Sequence, residues 1–179
     1  MNRRHLLSFL GLASLAAVAG CRGFKDEAEA SPNDSPKTGQ GAPKLVKSKE
    51  EWRKLLSPAA YAVLFEEATE RAGTSPLEQE KRPGQFLCAA CNLPLFDAKT
   101  KFNSGTGWPS FGDYLPGALE FSTDFKLIYP RTEYHCSRCG GHQGHVFDDG
   151  PRPTGKRYCN NGVALSFVPA GEALPPLRT

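Results

Sequence analysis

The sequence predicts a mainly β domain with two short helices in front, and three observations carry that reading. From Gln85 onward helical periodicity disappears, and short apolar runs recur between Gly, Pro and Asp: Phe86-Leu87, Leu93 to Phe96, Leu119 to Phe121, Phe125 to Tyr129, His145 to Phe147 and Val163 to Val168. Before that point, two stretches repeat their apolar residues at helical intervals. Finally, 179 residues with 39% hydrophobic content and ordinary charge density are enough for one domain with a sizeable core.

The first helix begins near Lys49. Ser48-Lys-Glu-Glu51 has the spacing of a capping box, and Trp52, Leu55 and Leu56 form its apolar side. Ser57-Pro58 restarts the chain as a second helix with Ser as N-cap and Pro in the first turn, and Tyr61, Leu64, Phe65 and Ala68 form the stripe it buries. Thr69 to Gly84 is polar, carries Gly73, Pro76 and Pro83, and reads as a loop.

Residues 1–20 read as an export signal. Arg3-Arg4 precede a small-and-apolar run from Leu6 to Ala19, shorter than the roughly 20 apolar residues a transmembrane helix needs. Val18-Ala19-Gly20-Cys21 looks like a bacterial lipobox, in which Cys21 would be lipidated and become the new N-terminus; an ordinary cleavage site nearby is the alternative. Residues 21–44 carry Pro32, Pro36, Pro43 and mixed charges with Phe24 as the one large hydrophobe, the composition of a flexible tether to a membrane-held domain at 45–179. This predicts an extracytoplasmic, lipid-anchored protein. The net charge of +3 includes Arg3 and Arg4, and without residues 1–20 there are 20 basic against 19 acidic residues, so charge gives no case for a nucleic-acid partner.

Chemistry concentrates between Cys136 and Phe167. Cys88-Ala-Ala-Cys91 and Cys136-Ser-Arg-Cys139, separated by 44 residues, can supply four thiolates to one structural zinc with no position left open for catalysis. Asn92 and Gly140 follow the pairs, and both tolerate the left-handed backbone that such turns need. In an oxidising compartment two disulfides, or one redox-active pair, are the alternatives.

Assigning Cys21 to lipid and four cysteines to zinc leaves Cys159. The segment from Lys156 to Phe167 starts polar and ends apolar, like a strand running from a cleft into a core. Alternation would then put Arg157, Cys159 and Asn161 on one face, unless Gly162 introduces a bulge that re-aims it. A catalytic thiol needs a nearby cation or donor to form thiolate, and Arg157 is positioned for that. His142, His145 and Asp149 lie within 20 residues of this cysteine and suit acid-base roles. The plainer readings are structural histidines and a buried inert thiol.

Ser104-Gly-Thr-Gly-Trp-Pro-Ser-Phe111, Gly141-His-Gln-Gly-His-Val-Phe147, Asp149-Gly-Pro-Arg-Pro-Thr-Gly-Lys-Arg-Tyr-Cys159 and Asn161 together resemble the methionine sulfoxide reductase B family over roughly residues 48–168. The resemblance implies two antiparallel sheets with short N-terminal helices and a zinc opposite the active site. It implies reduction of methionine-R-sulfoxide in oxidised proteins or peptides, with Cys159 as nucleophile passing through a sulfenic acid. By the same resemblance His145 positions or protonates the sulfoxide oxygen, His142 supports it, and Asn161 adds a polar contact. Arg157 and Asp149 orient the charged site, and Trp108 and Phe111 bind the substrate. Many family members carry a recycling cysteine where this chain has Thr106. No internal resolving thiol is then evident, and an external thioredoxin-like thiol is the expected reductant of a monomeric enzyme. Gln143 and Asn160 also depart from the family pattern, with no effect assigned. Two other classes compete. A non-catalytic zinc-ribbon-like binding domain leaves Cys159 and the histidines without purpose, and a thiol-disulfide oxidoreductase would need a βαβ pattern that is not visible.

Overall fold

The structure is a computed structural model and describes residues 41–179. The predicted signal, the lipidation site at Cys21 and the tether up to residue 40 lie outside the described residues. Both helices form where the sequence places them. In α1 (Lys49–Leu55), Ser48 Oγ accepts from the Glu51 N–H and the Glu51 carboxylate accepts from the Ser48 N–H, completing the capping box. In α2 (Pro58–Glu66), Ser57 accepts from the Ala60 N–H, and the helix stops at Glu67, whose φ of 53° is left-handed. Ala68 therefore lies beyond the helix. Trp52 stacks on Phe65 at 4.9 Å and ties the two helices together.

Nine strands follow among the described residues: β1 (Gly84–Cys88), β2 (Pro94–Asp97), β3 (Lys101–Phe102), β4 (Ser110–Phe111), β5 (Leu119–Asp124), β6 (Arg131–Cys136), β7 (His142–Phe147), β8 (Arg157–Asn160) and β9 (Leu165–Pro169). They form two antiparallel sheets, one ordered β2-β1-β9 and the other β3-β4-β8-β7-β6-β5. The core between them is aromatic. Phe96 of β2 stacks on Phe111 of β4 at 4.2 Å, Phe86 of β1 meets the same ring at 5.0 Å, and Tyr134 and Tyr158 continue the cluster at 5.7 Å. Burying each such ring contributes about 1.5–3 kcal/mol, so these contacts are a main source of cohesion between the sheets.

Two strand expectations need correction. Phe125 to Tyr129 is not a strand; it is the tip joining β5 to β6, with Phe125, Ile128 and Tyr129 exposed, and the pairing falls instead on Arg131–Cys136. The mixed polar and apolar pattern of Arg131–Cys136 hid it, because one face of that strand is lined by charged groups. The segment from Arg157 to Phe167 is likewise not one strand. It breaks at Asn161 into a 3₁₀ turn, Gly162–Ala164, and crosses to the other sheet as β9. A Cβ on Gly162 would lie 1.8 Å from Ser75 Oγ, so this crossing requires glycine.

At Gly144 of β7 a Cβ would lie 1.9 Å from the Cys159 carbonyl oxygen, which leaves no room for a side chain. Gly144→Ala therefore has to push β7 away from β8. We expect it to cost about 2–3 kcal/mol or more in urea unfolding, since the obstacle is backbone rather than a flexible side chain. An unfolding midpoint equal to wild type would show that the two strands are not so closely apposed.

Candidate active site and metal centre

The register of the large sheet sets out the site. Cys159 of β8 pairs with Ser110 of β4 on one side and with His145 of β7 on the other, and His145 pairs in turn with Glu133 of β6. Directly opposed residues in antiparallel strands share a face, so these four side chains form one row across the sheet. The opposite face carries Tyr134, Gly144 and Tyr158 into the core. Cys159 is half-buried at the mouth of this row, with no disulfide.

Arg157, two residues before Cys159, lies on the same face as expected. Its Nε and Nη2 each donate to one Asp149 oxygen at 2.8 Å, and its guanidinium lies 4.3 Å from the centre of the Phe147 ring. From there its charge favours the Cys159 thiolate. Burial pushes the Cys159 thiol up from its ordinary value, and the Arg157 charge, with hydrogen bonds from Thr106 and Arg157, pulls in the opposite direction without cancelling it. The resting residue is thus a thiol whose ionisation depends on this cation and this hydroxyl. Thr106 belongs to a run of hydroxyls, with Ser104 Oγ 2.8 Å from both Thr106 Oγ1 and Ser110 Oγ.

His145 Nε2 lies 2.8 Å from Asp124 Oδ2, and Arg131 donates to that same oxygen at 2.6 Å. The Lys126 N–H, His145 and Arg131 together hold the Asp124 carboxyl well below the usual carboxylate range. His142 is buried against Glu133, and desolvation lowers its basicity. The imidazoles of His142 and His145 lie 5.5 Å apart, so the predicted pair is brought together beside Cys159.

Two predicted site residues are placed elsewhere. Asn161 does not share the Cys159 face, because the strand ends there. Its Oδ1 accepts from the Glu70 N–H at 2.9 Å and its Nδ2 donates to the Gln143 carbonyl at 3.0 Å, which commits both ends of the amide to the scaffold. Phe111 is 0% exposed and stacked within the core, so it supports the site from beneath and cannot line it. Trp108 is half-buried with its indole N–H donating to Glu70 O at 2.9 Å, which fixes the ring beside the site.

The sequence reading missed Glu70, Asp124 and Glu133. Glu70 holds the loop to the 3₁₀ turn through the Gly162 and Val163 N–H groups, at 2.6 and 3.3 Å. It lies in a polar loop that no periodicity marks. Asp124 and Glu133 become visible only through the β5–β6–β7 register.

The four predicted metal cysteines converge. Their sulfurs all lie within 4.8 Å of one another, with Cys88 to Cys139 at 3.6 Å and Cys91 to Cys136 at 3.5 Å. These separations exclude disulfides, whose S–S bond is about 2.05 Å. Each pair sits on a tight turn: the Asn92 N–H bonds Cys88 O and the Gly140 N–H bonds Cys136 O, both at 2.9 Å, with φ of 62° and 71° at Asn92 and Gly140. The C-terminal tail closes over them, since Arg178 N–H donates to Cys91 O and Asn92 Nδ2 to Pro176 O. Gln143 and Asn160 now have a place. Gln143 Nε2 donates to Cys88 Sγ at 3.5 Å, Asn160 Nδ2 donates to Gln143 Oε1 at 3.4 Å, and Tyr134 donates to Asn160 Oδ1 at 3.0 Å. A buried polar chain thus runs from the thiolate cluster to the residue after Cys159.

Comparison with known proteins agrees with this geometry. The model of the SelR domain matches residues 56–169. The chain is 51% identical over 128 residues to mouse methionine-R-sulfoxide reductase B3, mitochondrial, covering 71% of this chain but only 51% of that protein. It is 51% identical over 124 residues to the peptide methionine sulfoxide reductase MsrB of Methanosarcina barkeri, covering 69% of this chain and 87% of the relative. Against the MsrB of Leifsonia xyli it is 48% identical over 136 residues, 75% of this chain and 98% of the relative. A half-buried cysteine in register with a histidine, a cluster of four further cysteines and these similarities coincide on one set of residues: the chain belongs to the methionine sulfoxide reductase B family, with its SelR domain at residues 56–169.

Proposed function

We propose that this chain reduces methionine-R-sulfoxide in oxidised peptides or proteins to methionine, with Cys159 as the attacking thiol. The observation that carries this reading is the β4–β8–β7 register, which sets one unassigned thiol beside His145 on its own face of the sheet. Formation of the thiolate is assisted by Arg157, held in place by its two bonds to Asp149. The thiolate attacks the sulfoxide sulfur while the oxygen takes up a proton, for which His145 is positioned, its ring held by Asp124. The sulfoxide and the thiol go to methionine and a sulfenic acid on Cys159, so the substrate sulfur is reduced and the cysteine sulfur oxidised. His142 supports His145, and the Trp108 ring offers an apolar surface for the substrate's S-methyl group.

Two equivalents of an external thiol then return the sulfenic acid to thiol, releasing water and a disulfide. A thioredoxin-like protein is the donor this chemistry favours. Thr106 supports an external route, since it places a hydroxyl, rather than a second sulfur, against Cys159. The metal is zinc on this reading: tetrahedral thiolate ligands with bonds of about 2.3 Å lie about 3.8 Å apart, near the observed separations. The cluster joins the end of β1 to the end of β6, on different sheets, which suits a structural ion. Val18-Ala19-Gly20-Cys21 supports export and lipidation of Cys21, with residues 45–179 as the catalytic domain on an extracytoplasmic tether.

A single turnover without reductant, followed by mass analysis, tests the cycle. The expected product is a sulfenic acid on Cys159, and Cys159→Ser gives no methionine. Thr106→Cys converts the sulfenic acid into an internal disulfide, because residue 106 is near enough to Cys159 for its hydroxyl to favour the thiolate. A disulfide from Cys159 to any other cysteine in the wild-type chain would contradict the one-cysteine cycle.

Thiolate formation gives a pH prediction. Burial holds the Cys159 pKa above the ordinary thiol value and the Arg157 charge opposes it, so removing that charge moves it further up. Arg157→Met keeps most of the buried volume but should move the midpoint of Cys159 alkylation to higher pH, and alkylation near neutrality should slow about tenfold for each pH unit that the midpoint rises. An unchanged midpoint would show that the guanidinium does not assist ionisation.

A further inference from the structure

Beside the catalytic row lies a second group of metal-type donors. Glu133 and His135 alternate on β6, and His142 of β7 pairs with His135 across the strands. Glu133 is 7% exposed and His142 3% exposed. Glu133 Oε1 lies against His142 Nδ1 and 3.1 Å from His135 Nε2, and neither Glu133 Oε1 nor His142 Nδ1 has a hydrogen bond of good geometry. A buried carboxylate oxygen and a buried imidazole nitrogen without hydrogen bonds are costly, and each ordinarily has a partner. Here three donor atoms crowd together, with Glu133 Oε1 between the two imidazoles, an arrangement that a shared cation would satisfy.

We propose that Glu133, His135 and His142 form a second, exchangeable divalent-cation site, distinct from the four-cysteine cluster, and that zinc bound there withdraws His142 from the reaction. Two imidazoles and one carboxylate are a donor set of intermediate softness that suits zinc. With bonds of about 2.0–2.2 Å, neighbouring nitrogen and oxygen ligands lie about 3–3.5 Å apart, the separation already present between Glu133 and His135. All three donor atoms lie within 4.8 Å of one another; Glu133 and His142 are in closer contact than two ligands of one ion, so their side chains part to admit it, and His135, the most exposed of the three, turns its ring to complete the set. His135 and Cys136 are consecutive on a strand, so their side chains leave opposite faces and the two sites do not share ligands.

The binding claim stands without the enzymatic reading, whereas the inhibitory claim rests on it. The experiment is equilibrium dialysis of the full chain, already carrying one zinc in its cysteine cluster, against micromolar free Zn²⁺ with metal analysis. Two zinc ions per chain are expected in the wild type and in Cys159→Ser, the second lost or weakened at least tenfold in His135→Ala. A stoichiometry of one in the wild type, a second zinc that disappears with Cys159→Ser, or one that persists unweakened in His135→Ala would overturn the site. In single-turnover assays, Zn²⁺ should inhibit the wild type, and His135→Ala, with unchanged turnover in the absence of added metal, should need at least tenfold more. Undiminished turnover with two zinc ions bound would overturn the inhibitory role alone. Failure to reduce sulfoxide in the absence of added metal would count against the proposed function and leave the stoichiometry unaffected.

Discussion

The pairing of β8 with β7 is the constraint on which the rest of the molecule depends. It requires a glycine at 144, because the Cys159 carbonyl occupies the space of a side chain there. With that approach allowed, Cys159 faces His145 across one strand and Ser110 across the other. The strand that carries Cys159 is therefore held by backbone hydrogen bonds on both sides, and a thiol on such a support would lose little entropy when a substrate arrives. The same register puts Tyr158 and Asn160 on the reverse face, where they complete the core.

The thiolate cluster serves this arrangement from a distance. Cys88 closes the end of β1 and Cys136 the end of β6, so the four-cysteine cluster joins a strand end of the small sheet to one of the large sheet. Gln143 and Asn160 extend the cluster's hydrogen bonds to the residue beside Cys159. Their polarity, unexplained by the strand pattern, is that of a buried network whose members satisfy one another. Asn161 and Glu70 fasten the other side of the same strand end, where the chain leaves one sheet for the other.

Much of this was legible in the sequence, for physical reasons that differ by element. The helix starts at Ser48 and Ser57 depend on local capping, which a sequence displays directly. The four cysteines were legible because thiol pairs at such spacing have few uses. Cys159 stood out by elimination together with its motifs, and the register sets it opposite His145. By contrast, Arg131–Cys136 was hidden because its charged face mimics a loop, while Phe125–Tyr129 looked like a strand because exposed apolar residues at a tip break the usual pattern. Phe111 and Asn161 belong to motifs that surround the site, and only packing separates the residues that face the cleft from those beneath it. Asp124 and Glu133 acquire their roles through pairings between strands, information that no local stretch contains.

A thiol fixed in a sheet, with a histidine on one side and an apolar ring held by Glu70, would present one handed surface to a sulfoxide. The most direct test is the initial rate of methionine formation from peptides carrying the resolved R or S sulfoxide, with dithiothreitol as reductant. The account predicts turnover of the R epimer with the S epimer essentially untouched. Turnover of the S epimer alone, or of neither, would contradict it.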